Sequence, residues 1–129
     1  MRPQAIFPAG SPKTVGPYSP AIRIGDFLYS SGQIPLDPAT GELVPGGIEA
    51  QTARVMENLK ALLADQGLNF GNVVKTTVFM LNLGDFATMN GVYARYFQEP
   101  FPARSTVQVA GLPRGAAVEI EIVAHFSTP

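Results

Sequence analysis

At 129 residues with no cysteine and one histidine, the chain has length for one domain with its own core, and it lacks the residues for a thiolate or histidine-cluster metal site or for Cys-His nucleophilic catalysis. Nine Lys+Arg against ten Asp+Glu give a net charge of -1, which offers no broad basic field to a phosphate backbone and argues against nucleic acid as partner. Hydrophobic residues at 46% against 15% charged point to a surface partly covered in an oligomer.

Residues 1–14 carry three prolines and no long apolar stretch, so they read as neither signal peptide nor membrane anchor, and a cytoplasmic protein is expected. Residues 15–43 read as extended: residues 21–24 and 27–31 flank the turn Gly25-Asp26, and residues 37–41 are turn formers, so two or three strands open the fold. From residue 48 to 66 the period changes. Thr52, Val55, Leu59 and Leu62 fall at helical spacing with Met56 and Leu63 beside them, and Gly67 stops the helix. Residues 73–81 are β-branched and mostly apolar, as in a central strand. Asp85 suits the N-cap of a second helix with Phe86, Met89, Tyr93 and Phe97 on one side, ended by Pro100 and Pro102. Residues 105–112 and 117–126 surround Pro113-Arg114-Gly115 and read as a hairpin. In the last strand Val118, Ile120, Ile122, Ala124 and Phe126 share one face, and Glu119, Glu121, Val123 and His125 the other. The order βββ-α-β-α-ββ predicts a single α+β domain over residues 1–129, a mixed sheet with two helices on one face. The opposite face, apolar yet dotted with acids, calls for cover by another chain.

Arg104 follows Phe101-Pro102-Ala103, where a proline-fixed loop enters a strand and delivers the guanidinium from a stiff mount. Such a fork matches a carboxylate in a bidentate grip, and a plain strand-edge arginine is the other reading. Glu119 lies mid-strand between Val118 and Ile120, where desolvation would raise its pKa toward that of a working acid or base; an outward-facing residue matched by Glu121 is the alternative. Tyr18 sits between Pro17 and Pro20, fixed either against a pocket mouth or in packing. Ser31 and Gly32 end a strand with small residues, which allow a ligand near backbone amides or mark a β-bulge. His125, without a second histidine or cysteine, reads as a structural or surface residue. In the hairpin register, Ala110 opposes Glu119 and Arg104 lies six positions further, on the order of 20 Å away at ~3.3 Å per residue. On that geometry a shared site needs Glu119 of one subunit facing Arg104 of another.

Gly16-Pro17-Tyr18-Ser19, Ser31-Gly32-Gln33-Ile34-Pro35, residues 74–79 (Val-Lys-Thr-Thr-Val-Phe), Phe101-Pro102-Ala103-Arg104-Ser105 and Val118-Glu119-Ile120-Glu121 together resemble the RidA (YjgF/YER057c/UK114) family, in order and spacing, from about residue 18 to residue 124. The resemblance implies a chorismate-mutase-like fold, a homotrimer whose sheets form a barrel, and sites between subunits. It further implies hydrolysis of 2-imino acids or their enamines to 2-keto acids and ammonia, as a 2-iminobutanoate/2-iminopropanoate deaminase without cofactor or metal. By the same resemblance Arg104 binds the substrate carboxylate, Glu119 positions or activates water, and Tyr18 borders the substrate. Ser31, Gly32 and Asn90 match pocket-lining positions, and Thr106 stands where the family often has cysteine. Two other classes are weighed: a non-catalytic module binding small 2-keto acids through the same arginine, and RNA cleavage, against which the acidic balance and single histidine argue.

Overall fold

The computed structural model describes residues 1–126. Three short strands, β1 (Gln4–Ile6), β2 (Ala21–Ile24) and β3 (Phe27–Ser30), form an antiparallel meander. After them come α1 (Ile48–Asp65), β4 (Val73–Met80), α2 (Phe86–Tyr93), β5 (Ala103–Gln108) and β6 (Val118–His125). The sheet order is β1-β2-β3-β6-β4-β5, antiparallel throughout except for the parallel pair β4 and β5. The element order and the mixed sheet are those the sequence predicts.

Local chemistry accounts for the elements. Gly25 takes the left-handed φ of 56° between β2 and β3, where a residue with Cβ would be strained. In α1 the predicted stripe is buried: Thr52, Val55, Met56, Leu59, Leu62 and Leu63 all face the sheet. The helix ends in a Schellman motif, with Gly67 at φ 73°, its N–H donating to Ala64 O at 3.0 Å and Leu68 N–H to Leu63 O at 2.8 Å. Along β6 the faces alternate as expected, with Val118, Ile120, Ile122 and Ala124 packed under the helices. Glu119, Glu121, Val123 and His125 point away from them, and among the described residues no helix packs over the stretch of that face that carries Glu121, Val123, Phe27, Tyr29 and Phe79.

Four expectations are corrected. The third opening strand is β1, inside the proline-bearing N-terminal segment and pairing Gln4 with Arg23, and not a strand within residues 15–43. The last two strands do not form a hairpin: β4 lies between them. Both ends of their connection bond to the end of β4, Val109 N–H to Met80 O at 2.9 Å and Leu81 N–H to Ala117 O at 3.0 Å. The apolar β4 thereby gains two strand neighbours, which saturates its backbone on both sides. Asp85 occupies the N-cap of α2, yet its side chain makes no capping bond; Asn82, one turn earlier, accepts from Gly84 N–H at 2.8 Å. Finally, Phe86 is 39% exposed, outside the core that holds Met89, Tyr93 and Phe97.

Candidate active site

On β5, Arg104 and Thr106 stand opposite Thr76 and Val78 of β4, so both share the helix-covered face of the sheet. On α2, Phe86, Asn90 and Tyr93 are spaced to fall on one side of the helix. The two meet at Arg104, whose Cζ lies 4.8 Å from the Tyr93 ring centroid and 5.5 Å from that of Phe86. The rings hold the guanidinium by cation–π contact, and its planar fork matches a ligand carboxylate. Among the described residues no carboxylate forms an ion pair with Arg104; the ion pair present is Arg95 with Glu49. Two polar atoms on these same elements, Asn90 Oδ1 and Thr106 Oγ1, are buried without a hydrogen-bond partner. Such orphans are costly, and their presence beside an arginine suits a site that a ligand completes.

The back of this site is a buried hydrogen bond, Thr76 Oγ1 to Tyr93 OH at 2.8 Å. Burial pushes the Tyr93 pKa up, against the Thr76 bond and the Arg104 charge, which lower it. The phenol therefore stays protonated and holds Tyr93 under Arg104. Tyr93→Phe leaves Thr76 Oγ1 buried without that partner, and the expected cost is about 1 to 2 kcal/mol in urea denaturation, with the midpoint lowered and the slope unchanged.

Glu119 leaves β6 on the other face, opposite Phe79. Where β3 runs on toward β6 the register slips by one residue, from Tyr29 opposite Val123 to Gln33 bridging Ile120, which is a β-bulge. Ser30 Oγ fills the gap by accepting from Ile122 N–H at 2.9 Å. Ser31 is tied down as well, with Oγ donating to Ser19 O at 2.6 Å and N–H to Pro20 O at 2.9 Å. Gly32 then packs against Glu119: a Cβ there would lie 2.6 Å from Cδ and collide with the carboxylate oxygen. Tyr18, Gly32 and Glu119 line one cavity of about 110 Å3.

Burial raises the Glu119 pKa above its ordinary value of 4.5, and the charge of Glu121 raises it further. A raised carboxyl binds its proton more tightly in the folded chain. Its contribution to stability is present below pH 4.5 and is lost as pH climbs through the raised value. Glu119→Gln should therefore raise Tm relative to the parent at pH 7, and the gain should vanish near pH 4, read by thermal melts at both pH values.

The predicted residues thus separate into two groups. Arg104, Thr106 and Asn90 gather with Tyr93 and Phe86 on the helix side; Tyr18, Gly32 and Glu119 gather at the β3–β6 bulge, with the Ser31 hydroxyl turned to Ser19. Arg104 pairs with Thr76 and Glu119 with Phe79, two strand spacings of ~4.8 Å and three residues of ~3.3 Å apart, on the order of 14 Å between backbones. This replaces the hairpin distance, and the opposed faces, not the length of a ladder, now keep the two side chains apart within one chain. Sequence reasoning missed Phe86 and Tyr93 as walls for Arg104; their seven-residue spacing on α2 is the signal, one shared with ordinary core packing. Among the described residues no group of three His, Cys, Asp or Glu side chains is placed to hold a metal ion, and no helix is long and apolar enough to cross a membrane.

Residues 9–126 match the family described as endoribonuclease L-PSP. Protein DfrA of Myxococcus xanthus is 55% identical over 126 residues, covering 96% of this chain and 96% of its own length. The 2-iminobutanoate/2-iminopropanoate deaminase of Mus musculus is 47% identical over 114 residues, covering 88% of this chain and 84% of its own. Among solved structures, E. coli TdcF with bound serine superposes with a TM-score of 0.90 at 41% identity, over 96% of this chain and 99% of that one.

Proposed function

The chain belongs to the endoribonuclease L-PSP family, the RidA/YjgF family its motifs resemble, and we propose that it is a hydrolytic deaminase of small 2-imino acids. The observation that carries the reading is the guanidinium of Arg104, braced by two rings and without a carboxylate partner among the described residues, on the same strand and helix pair as two orphaned polar atoms. A relative named for this activity, at 47% identity, supports it, as does TdcF, whose bound serine bears a carboxylate next to a nitrogen-bearing carbon.

In the proposed reaction Arg104 holds the substrate carboxylate in a bidentate grip, which orients the adjacent C=N bond. Water adds to the imine carbon and forms a carbinolamine. Glu119, with its pKa raised by burial, takes a proton from the adding water and passes it to the imine nitrogen, then takes the carbinolamine hydroxyl proton and passes it to the departing nitrogen. The C–N bond breaks, the oxygen remains as the new carbonyl, and one imine plus one water yields one 2-keto acid plus one ammonia. Thr106 and Asn90 supply hydrogen-bonding atoms near the carboxylate, and Tyr18 borders the substrate. The imine is already electrophilic, so the barrier to be lowered is modest, and positioning with one proton shuttle suffices.

Because Arg104 and Glu119 emerge on opposite faces, the complete site combines Arg104 of one protomer with Glu119 of the next, in a homotrimer whose uncovered sheet faces meet. The apolar side chains on that face, Phe27, Tyr29 and Phe79, support this arrangement. The test is ammonia release from freshly generated 2-iminobutanoate, followed against the uncatalysed decay. Acceleration proportional to protein is expected; release no faster than in buffer overturns the proposal.

A further inference from the structure

The cavity beside Glu119 carries two cations that the reaction above does not use. Lys13, from the N-terminal segment, and Arg114, from the turn before β6, line it together with Tyr18, Gly32 and Glu119. Arg114 is held in place by its surroundings. Among the described residues it alone has a positive φ without being glycine, 59°, a conformation that side chains rarely adopt. Its Nη1 donates to Gly41 O at 2.8 Å, and Gly41 itself turns at φ 74° to present that carbonyl. The remaining guanidinium donors are left over, and among the described residues neither Arg114 nor Lys13 is in an ion pair. The rest of the wall is apolar or neutral, including Ile34, Leu36, Leu62 and Asn58. A small cavity with two cations against one carboxylate has an unmet demand for negative charge.

We infer that this cavity receives the substrate's side chain and that Lys13 and Arg114 bind an anionic group at its end, so that the chain hydrolyses 2-imino dicarboxylates in addition to imines with uncharged side chains. The inference rests on the deaminase reading: with the first carboxylate on Arg104 and the imine carbon near Glu119, the side chain is the part left to enter the space next to Glu119. A terminal carboxylate there meets Arg114 as a planar fork and Lys13 as a mobile point charge. Uncharged side chains meet the apolar wall of the same cavity, which explains how one site serves both classes.

The experiment compares ammonia release from 2-iminoglutarate and 2-iminobutanoate, each generated in the assay by oxidation of the amino acid, with the parent chain, Arg114→Gln and Lys13→Gln. The parent should accelerate both. Arg114→Gln should lower the ratio of kcat/KM for the dicarboxylate over the monocarboxylate at least tenfold, mostly through KM, and Lys13→Gln should lower it by a smaller factor. Lys13 lies on an exposed segment, so its variant keeps the test intact should Arg114→Gln fail to fold. Hydrolysis of 2-iminobutanoate with none of 2-iminoglutarate overturns the inference and leaves the deaminase reading standing, as does an unchanged ratio in both variants. Should neither imine be hydrolysed, the deaminase reading fails, and calorimetry with 2-oxoglutarate and 2-oxobutanoate decides the cavity's role. Tighter 2-oxoglutarate binding that Arg114→Gln abolishes upholds the anion site; equal affinities overturn it.

Discussion

Arg104→Ala lowers kcat/KM for 2-iminobutanoate by about 10² to 10³-fold, the loss expected when one half of a desolvated, bidentate charge pair is removed. The chain stays folded. What the substitution removes from the fold is ring contact with Tyr93 and Phe86, worth roughly 0.5 to 1 kcal/mol at a partly exposed site. Circular dichroism and the melting profile should therefore stay close to the parent's while ammonia release collapses. Arg104→Lys separates charge from geometry, because it keeps the positive end and loses the fork. It should fall between Ala and the parent, with the deficit concentrated in KM. Full activity in Arg104→Ala would remove the basis of the proposed mechanism.

Gly32→Ala should cut kcat about 10²-fold with KM little changed, by displacing the Glu119 carboxylate without touching its chemistry. The added Cβ meets Cδ at 2.6 Å and Cγ at 2.9 Å, atoms near the end of a flexible side chain. Glu119 can thus swing aside, and the fold need not give way. The distinguishing result is non-additivity. If the glycine acts through Glu119, the double variant Gly32→Ala/Glu119→Gln is no slower than Glu119→Gln alone. Independent, additive losses would show that Gly32 contacts the substrate directly and that its packing on Glu119 is incidental.

The parts legible in the sequence are those set by local chemistry. Helix α1 follows from the spacing of Thr52, Val55, Leu59 and Leu62 and from Gly67, whose left-handed conformation closes the Schellman motif. The alternation along β6 likewise follows from its own residues. Strand partnership did not follow, because it is decided by groups distant in the chain. Pro113-Arg114-Gly115 has hairpin composition, yet the strands on either side bond to the two edges of β4. Strand β1 escaped notice because it has three residues, closely flanked by Pro3 and Pro8, too few to show a period. Arg104 and Glu119 stood out by their settings, a proline-stiffened strand entry and a mid-strand carboxylate. Phe86 and Tyr93 did not, since an aromatic residue on an amphipathic helix reads as core until the facing strand is known. The faces on which Arg104 and Glu119 emerge depended on the same missing information, namely which strand lies between them.

The placement of β4 also governs how the sheet can be assembled. Along β3-β6-β4-β5, only β4 and β5 are consecutive strands, joined through α2, and Phe27 must find His125 near the other terminus. Only the small β1-β2-β3 meander can zip up locally. Each remaining pairing closes a long loop, and its entropy is spent before the strand contacts can offset it. Folding should therefore be slow beside that of a helical bundle of equal length, as stopped-flow refolding would show.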